Sequence, residues 1–314
     1  MSHSTEDHRA AFDVSAADSL ANHVQDETLR LLLRPLEPGL YLVATPIGNL
    51  GDITLRALSV LARADIIYCE DTRHSARLLQ HYAIRAETRP FHDHNEDSMR
   101  GRVIEQLERG ARIALISDAG TPLVSDPGFK LVRECAAKNL PVFSLPGPSA
   151  LVTALAGSGL PTDAFFFAGF LPPKEAARKA RLGEIKTVPA TLIFYEAPQR
   201  LADSLADMAA CLGNRPAVVA RELTKMHEEL MRGSLRELAQ NYEGNEPKGE
   251  IVVLCGPPEI GEVSDELITE RLAVALQSMR LKDAAAAVSD ALSVAKTRVY
   301  DLGLKAKKQS EKGE

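Results

Sequence analysis

Tryptophan is absent from the 314-residue sequence, and aromatic residues supply only 5% of it. So few aromatic side chains argue against a stacking surface for single-stranded nucleic acid. No apolar run reaches the roughly 20 residues that cross a bilayer, and the first residues lack the basic-then-apolar order of a secretory signal. We therefore expect a cytoplasmic protein with no membrane partner, and its 45% apolar content is typical of a globular protein.

Cysteine is also scarce, and its distribution argues against two kinds of site. The four cysteines lie far apart, at positions 69, 135, 211 and 255, so neither a disulfide framework nor a zinc knot is expected. His92 and His94 could share an ion, but no third ligand follows at typical metal spacing. We interpret the segment around them as a helix cap at Asn95 or a substrate contact, and we predict no metal.

The net charge of −6 is unevenly distributed. Residues 1–37 contain seven acidic residues and three arginines, a net charge of −4, which leaves −2 for the rest of the chain. A nearly neutral body can still carry a basic groove, so the charge does not exclude an RNA partner. Residues 1–37 also lack sustained periodicity apart from a leucine cluster, and we predict a mostly disordered acidic arm there.

From residue 38 onward, the pattern is that of α/β domains. Strand-like apolar runs at 65–69, 111–116 and 141–145 alternate with helical patterns, which is typical of parallel βαβ units. After the turn near residue 160, further strands and a basic helix follow. Three segments are predicted: an N-terminal α/β domain at 38–150, a second α/β domain at 151–258, and a helical appendix with a basic tail at 263–314. The appendix is either helix-turn-helix-like or a plain helical cap.

The most informative segment is the loop at residues 117–128 (SDAGTPLVSDPG). It follows a strand-like run, and open α/β sheets bind ligands at the carboxyl ends of their strands. Its glycines allow close backbone approach, and its hydroxyls and carboxylates offer polar contacts. The first strand is followed by residues 45–52 (TPIGNLGD) in place of a G-x-G-x-x-G fingerprint, which argues against a standard dinucleotide-binding domain.

Similar polar connections follow the other predicted strands. Residues 70–74 (EDTRH) contain two acids, and helix capping explains only one of them, so a site with a base and a cation is predicted there. Residues 146–150, 195–200 and 221–225 also join a strand to a helix. Several such connections together predict one shared cleft.

Together these segments resemble a known family. The matching segments are residues 45–50, 70–73, 94–96, 117–128, 146–150, 194–200 and 221–225. In this order they resemble the ribosomal RNA small-subunit methyltransferase I family, class III S-adenosylmethionine (SAM)-dependent enzymes of the tetrapyrrole methylase superfamily. The resemblance runs from about residue 39 to residue 256, and the appendix after residue 260 resembles the small helical domain of many members.

The resemblance implies a fold of two α/β domains with SAM in the cleft between them. It implies methyl transfer to the ribose 2′-oxygen of cytidine 1402, in the decoding region of 16S rRNA, with the 30S subunit as partner and a homodimer as the oligomeric state. It also implies a set of cofactor contacts. These are Pro46, Gly48, Asp118, Ala119, Gly120, Thr121, Pro122, Ser125, Pro146, Gly147, Ser149, Ala150, Tyr195 and Ala220.

The resemblance does not settle which side chain removes the 2′-proton. We hypothesise that Glu70 or Asp71 acts as the base while Arg73 holds a phosphate, with Glu222 and Lys225 as rivals across the cleft. The expected RNA-binding cations, beside Arg73 and Lys225, are Lys174, Arg178, Arg181 and Arg200. Two alternatives stay open: C-methylation of a tetrapyrrole such as uroporphyrinogen or a precorrin, and a non-catalytic role in ribosome assembly.

Overall fold

The computed structural model describes residues 14–258, 264–292 and 294–310. The chain divides into two compact units, one ending at Pro257 and the other beginning at Pro258. Within the described ranges, no helix is long and apolar enough to cross a membrane. Residues 1–13 of the predicted arm, and Val263 and residues 311–314 of the predicted appendix, lie outside the described residues.

The first sheet has five parallel strands in the order β3-β2-β4-β1-β5. The strands are β1 (Gly39–Val43), β2 (Ile66–Cys69), β3 (Thr88–Pro90), β4 (Arg112–Ile116) and β5 (Val142–Leu145). The helices around them are α1 (Val14–Leu33), α2 (Leu55–Leu61), α3 (Thr72–His81), α4 (Glu96–Glu108) and α5 (Phe129–Ala137). Because every pairing is parallel, the carboxyl ends of all five strands lie at the same edge.

Both faces of the first sheet are buried, because side chains alternate along each strand. Tyr41 and Val43 pack in one core with residues of α2 and α3. Leu40 and Leu115 pack in another core with residues of α4 and α5. Burial on both faces explains why these strands read as continuous apolar runs in the sequence.

The second sheet is mixed, in the order β6-β7-β10-β8-β9, and only β6 and β7 pair in parallel. Its strands are β6 (Phe165–Phe170), β7 (Thr191–Glu196), β8 (Pro216–Arg221), β9 (Glu229–Ser234) and β10 (Ile251–Cys255). Its helices are α6 (Ala150–Ser158), α7 (Glu175–Ile185), α8 (Leu201–Leu212) and α9 (Leu235–Tyr242). The predicted boundary near residue 150 falls at the first residue of α6, which packs on this sheet.

The sequence pattern does not predict strands β3 and β9. Both are edge strands, and none of their residues is fully buried. Arg89 and Pro90 occupy two of the three positions of β3, while β9 begins at Glu229 and contains Arg232. Their strand conformation is therefore decided by pairing with a neighbour.

The prediction of a mostly disordered arm is wrong for residues 14–33, which form α1. The carbonyl of Leu31 accepts a hydrogen bond of 3.1 Å from the Ser59 hydroxyl of α2. The Arg63 guanidinium donates to the carbonyl of Arg34. Since a helix in a protein is stabilised mainly by tertiary packing, this docking explains a helix that residues 14–33 alone do not predict.

The second compact unit is helical, as expected. It contains α10 (Asp265–Leu276), α11 (Leu281–Leu292) and α12 (Lys296–Ser310). Ile268, Leu272, Ala284 and Val299 form its own buried core. Gly303 lies so close to Leu281 that a Cβ atom there would be 2.4 Å from its Cδ1, so α11 and α12 pack tightly at this point.

Candidate active site

A cavity of about 390 Å³ lies in the cleft between the two sheets. Its first wall comes from the loops after β1, β4 and β5, and its second wall comes from β7, β10 and the loop after β8. The cavity therefore faces the carboxyl ends of the parallel strands, where open α/β sheets bind ligands. Its volume falls in the range of small-molecule sites, roughly 300–1,000 Å³.

The loop after β4 is held in place by hydrogen bonds to two neighbouring loops. The backbones of Thr45 and Gly120 exchange two hydrogen bonds, both 2.9 Å long. The Ser117 hydroxyl donates to the carbonyl of Gly120 at 3.0 Å, and the Thr121 hydroxyl donates to the carbonyl of Pro148 at 3.1 Å. This wall of the cavity is therefore preorganised.

Four non-glycine residues with positive φ lie in the loops on the two sides of the cleft. Leu123 (φ 73°) and Ser125 (φ 65°) follow β4, and Glu222 (φ 50°) and Thr224 (φ 66°) follow β8. A β-branched residue such as Thr224 rarely adopts this conformation. Such strain persists only where the surroundings hold it, and it is concentrated at binding and catalytic sites.

The second wall combines aromatic and acidic side chains. Tyr195 and Glu196 end β7, directly beside the start of β10, because Ile251 pairs with Glu196 in antiparallel register. The ring of Tyr195 meets the ring of Phe170 edge-on, with centroids 5.6 Å apart. Glu196 is buried and accepts hydrogen bonds from its neighbour's backbone and from the Ser204 hydroxyl, so its charge is satisfied within the fold.

Lys225 bridges the loops of the two walls. Its ammonium lies 2.8 Å from a carboxylate oxygen of Glu222 and 3.1 Å from one of Glu250, which lines the cavity. Its stem covers Gly48, where a Cβ atom would lie 2.4 Å from Cγ of Lys225. The hydrogen bond from Lys225 lowers the pKa of Glu222, so these two rivals for catalysis neutralise each other.

The two acids that follow β2 have different surroundings. Asp71 caps α3 and accepts hydrogen bonds from the backbone and guanidinium of Arg73, which hold its pKa well below the usual range. Burial, followed by the charges of Asp118 and Asp93, raises the pKa of Glu70. Of these two acids, Glu70 has the raised pKa, whereas Asp71 serves as a helix cap.

Asp126, a third acid near the carboxyl ends of the strands of the first sheet, was not among the predicted cofactor contacts. Asp126 lines the cavity, and burial, followed by the charge of Glu70, raises its pKa to about 6. Perturbed acids in a cleft are candidates for function.

The cavity brings together eight of the predicted cofactor contacts. They are Asp118, Ala119, Gly120, Thr121, Ser125, Ser149, Ala150 and Tyr195. Six others do not line it: Pro46, Gly48, Pro122, Pro146, Gly147 and Ala220. Gly147 packs against Ala44 instead, and Ala220 pairs with Val252, which does line the cavity.

The predicted RNA-binding cations have unequal access to solvent. Lys174 is exposed, and Arg181 is partly exposed beside Glu184. Arg178 is buried and its guanidinium lies 2.6 Å from the Asp207 carboxylate, so its assignment to RNA is wrong. Arg200 is mostly buried, pairs with Glu196 and donates to the carbonyl of Leu171, so little of it is free for a phosphate.

The histidines of the 92–96 segment do not form a metal site with their surroundings. Within residues 14–258, 264–292 and 294–310, no group of three or more His, Cys, Asp and Glu side chains could hold a metal ion. Asn95 accepts a hydrogen bond from the backbone of His92 at 2.8 Å and donates to the carbonyl of Pro90 at 3.1 Å. The segment is thus fastened to the end of β3.

Sequence reasoning missed three cavity residues that matter below. Asp126 belongs to the 117–128 loop, and the sequence does not show that its side chain lines the cavity. Phe170 ends an apolar strand and reads as a core residue. Glu250 follows Gly249, and this Gly-Glu pair before a strand is a weak signal that could have pointed to a turn at the cleft.

Comparisons with known proteins agree with this geometry. Residues 39–239 match the model of the family described as Tetrapyrrole (Corrin/Porphyrin) Methylases. A protein of Mesorhizobium japonicum named Ribosomal RNA small subunit methyltransferase I is 58% identical over 72% of this chain and 78% of its own length. A protein of the same name from Vibrio cholerae is 48% identical over 85% of this chain and 94% of its own length.

The chain belongs to the ribosomal RNA small subunit methyltransferase I family. It is therefore a methyltransferase, as the resemblance of its motifs predicted. The predicted fold class is also confirmed, because solved structures share the fold. A cobalt precorrin-4 methyltransferase has a TM-score of 0.53 at 17% identity, covering 69% of this chain and 94% of its own. Uroporphyrin III C-methyltransferase from Thermus thermophilus has a TM-score of 0.50 at 18% identity, covering 69% and 96%.

Proposed function

We propose that this protein uses SAM to methylate the ribose 2′-oxygen of a cytidine in the decoding region of 16S rRNA, the residue numbered 1402. The observation that carries the proposal is the cavity, which combines preorganised polar loops with an apolar wall. The names of the curated relatives support an rRNA substrate. The same names favour catalysis over a purely structural role in ribosome assembly.

The cavity suits the chemical groups of SAM. Ile47, Val124 and Leu223 offer apolar surface for an adenine ring, and Asp118 offers a carboxylate for ribose hydroxyls. Gly120, at φ 83°, lets a ligand approach the backbone closely. Ser149 and Ala150 begin α6, where no side chain caps the helix, so its first amides are available to a carboxylate.

When bound, SAM supplies an activated methyl group on a sulfonium. The protein then has to align the ribose oxygen with that methyl group, and alignment alone can contribute about 7–11 kcal/mol. We propose that Glu70 accepts the 2′-proton, since its raised pKa lies closer to neutrality than that of an exposed glutamate. Lys225 is assigned to positioning, because it fastens Gly48 and Glu250 across the cleft.

Exposed cations provide the phosphate contacts in this proposal. Arg73 is 90% exposed at the start of α3, although one side of it binds Asp71. Lys174 immediately precedes α7, Arg181 lies on α7, and Arg200 is a minor contributor. Contacts of this kind release counterions, so RNA binding should weaken as salt rises.

We further propose that the 30S subunit is the substrate, that the protein is cytoplasmic, and that it acts as a homodimer. Phe165 is 47% exposed on β6, an edge strand of the second sheet. Exposed apolar side chains on an edge strand suit a contact with a second copy. Light scattering at several protein concentrations tests the dimer.

Mapping of 2′-O-methyl groups on 16S rRNA from cells with and without this protein tests the proposed function. The expected result is the loss of one mark in the decoding region, restored by the protein with SAM and undermethylated 30S subunits. Uroporphyrinogen is offered in a parallel reaction. Methylation of uroporphyrinogen and not of rRNA would show the tetrapyrrole alternative to be correct.

A further inference from the structure

One corner of the cavity combines a carboxylate with two aromatic rings. Asp126 comes from the loop after β4, Phe170 from the end of β6 and Tyr195 from the end of β7, and all three line the cavity. The two ring planes meet at 64°. Burial raises the pKa of Tyr195, and the negative charge of Asp126, which lines the same cavity, adds to the rise.

Other acidic side chains surround Asp126, and no cation among the described residues forms an ion pair with it. Among the described side chains, Asp126 forms no ion pair, and its polar contact is the Ser117 hydroxyl. The acids that act on this corner are Glu70, Asp93 and Asp118 from the first sheet and Glu250 from the second wall. His92 lies beside Glu70, and Lys225 lies beside Glu250.

A carboxylate beside aromatic faces is the chemistry that recognises a compact cation. Ring faces attract a cation within about 6 Å of their centroids, and a carboxylate adds a direct Coulomb attraction. SAM carries such a cation at its sulfonium, whereas its product S-adenosylhomocysteine has a neutral thioether at the same place. Both molecules share the adenosine and the amino acid, so they differ only at this centre.

We propose that Asp126, Phe170 and Tyr195 form a cation site for the sulfonium and make the cavity prefer SAM over S-adenosylhomocysteine. This proposal rests on the proposed use of SAM and adds residues that set its selectivity. Methyl transfer removes the positive charge, so the same corner favours release of the product.

The preference depends on the ionisation of Asp126. Since its pKa in the ligand-free protein is about 6, the carboxylate is ionised at pH 8 and mostly protonated at pH 5. A bound cation stabilises the ionised form and lowers this raised pKa. The preference for SAM should therefore be present at pH 8 and be lost as the pH falls through 6.

Isothermal titration calorimetry of the full chain with SAM and with S-adenosylhomocysteine measures this preference directly. At pH 8 we expect SAM to bind about tenfold more tightly, a difference equivalent to about 1.4 kcal/mol. At pH 5 the ratio of the two dissociation constants should approach one. A ratio that is the same at both pH values would overturn the proposal.

Two substitutions should remove the preference at pH 8. Asp126→Asn removes the charge at nearly constant size, and Tyr195→Leu removes a ring. Tyr195→Phe keeps the ring and should keep the ratio. Asp163→Asn removes a carboxylate from an exposed turn and is the matched control for charge. Thermal unfolding checks that each variant is folded. If Asp126→Asn does not fold, the comparison of Tyr195→Leu with Tyr195→Phe tests the proposal.

The outcomes separate this inference from the proposed function. Equal loss of affinity for SAM and S-adenosylhomocysteine in Asp126→Asn would show that Asp126 contacts a group common to both, and would overturn the inference. Tight binding of both ligands by the unaltered protein without any preference would overturn it while supporting the use of SAM. Failure of the unaltered protein to bind either ligand would count against the proposed function itself.

Discussion

At the scale of single residues, neighbouring acids of one sequence motif acquire different roles. Glu70 and Asp71 are adjacent in the chain, yet burial raises the pKa of the first and Arg73 lowers that of the second. The sequence contains both carboxylates but does not contain their surroundings. The proposed division into base and helix cap leads to the first prediction.

Glu70→Gln should slow single-turnover methylation of 30S subunits by about 10²-fold or more, because a positioned base contributes 10²–10⁴-fold. Binding of SAM should be unchanged, since Glu70 does not line the cavity. The unaltered enzyme should gain rate as pH rises through the pKa of Glu70, because a base acts when deprotonated. If Asp71→Asn loses the rate and Glu70→Gln keeps it, Asp71 is the base.

Asp126 should reduce the stability of the folded protein at high pH. Its pKa is about 6 when folded, against 3.8 for an ordinary aspartate. A raised folded-state pKa means that its contribution to stability is fully present below about pH 4 and is lost as pH rises through 6. At pH 8, Asp126→Asn should therefore stabilise the protein by about 1 kcal/mol, after allowance for solvent screening. Chemical denaturation at pH 4 and pH 8 measures the difference, and destabilisation at pH 8 would contradict it.

Gly48→Ala should disturb the bridge across the cleft. A Cβ atom there would lie 2.4 Å from Cγ and 2.9 Å from Cε of Lys225, so Lys225 has to leave Glu222 and Glu250. We expect a loss of about 1–3 kcal/mol in the free energy of unfolding and a lower kcat/KM. Gly183→Ala in α7 is the control, because nothing lies within 4 Å of its Cβ position, and it should stabilise the protein by about 0.5–1 kcal/mol. Equal effects of Gly48→Ala and Gly183→Ala on stability would contradict the conclusion that Lys225 bridges the two loops.

At the scale of elements, α7 shows how one helix distributes its basic residues between surface and core. Lys174, Arg178 and Arg181 lie within two turns, yet only Arg178 is buried against Asp207. The sequence predicts a basic helix here. Since Arg178 faces α8, its charge belongs to the core of the second sheet and not to the RNA surface.

Arg178→Ala and Lys174→Ala should therefore have opposite consequences. Arg178→Ala removes the guanidinium from the buried Asp207 carboxylate and leaves it the Lys179 ammonium at 3.3 Å. The change should cost about 3 kcal/mol of stability, the lower end for breaking a buried ion pair. Lys174→Ala should leave thermal unfolding unchanged and weaken RNA binding, with a shallower dependence of affinity on salt. Thermal melts and filter binding at several salt concentrations measure both. A stable Arg178→Ala variant with weakened RNA binding would restore the original assignment.

At the scale of the whole molecule, the cavity belongs entirely to the first compact unit. Every residue that lines it precedes Pro257. The second unit has a buried core of its own. The residues of the proposed SAM site therefore all belong to the first unit.

A chain that ends at residue 257 should fold and bind SAM with an unchanged dissociation constant. Calorimetry and circular dichroism test this, with the full chain measured beside it. A loss of SAM binding in a folded truncated chain would show that the second unit contributes to the cavity. The rate of 30S methylation by the truncated chain then measures what the second unit contributes to the RNA substrate.

Much of the fold could be predicted because a strand that is buried on both faces has an apolar sequence. The central strands β1 and β2 are apolar over their whole length and β4 is apolar after Arg112, since both faces of the first sheet are covered. Strands β3 and β9 do not form such apolar runs, because Arg89 and Pro90 occupy most of β3 and β9 contains Glu229 and Arg232. The helix α1 is not predicted because residues 14–33 lack sustained apolar periodicity, and its last turn accepts a hydrogen bond from α2.

The sequence by itself determined the polar loops after the strands, their order and the family to which the chain belongs. Only the tertiary structure decided which side chains of those loops share the cavity and in which protonation state. Asp126 acquires its raised pKa from burial and from Glu70, which is 56 positions away in the chain. Burial and long-range charge depend on residues distant in sequence, so no local pattern of amino acids can encode them.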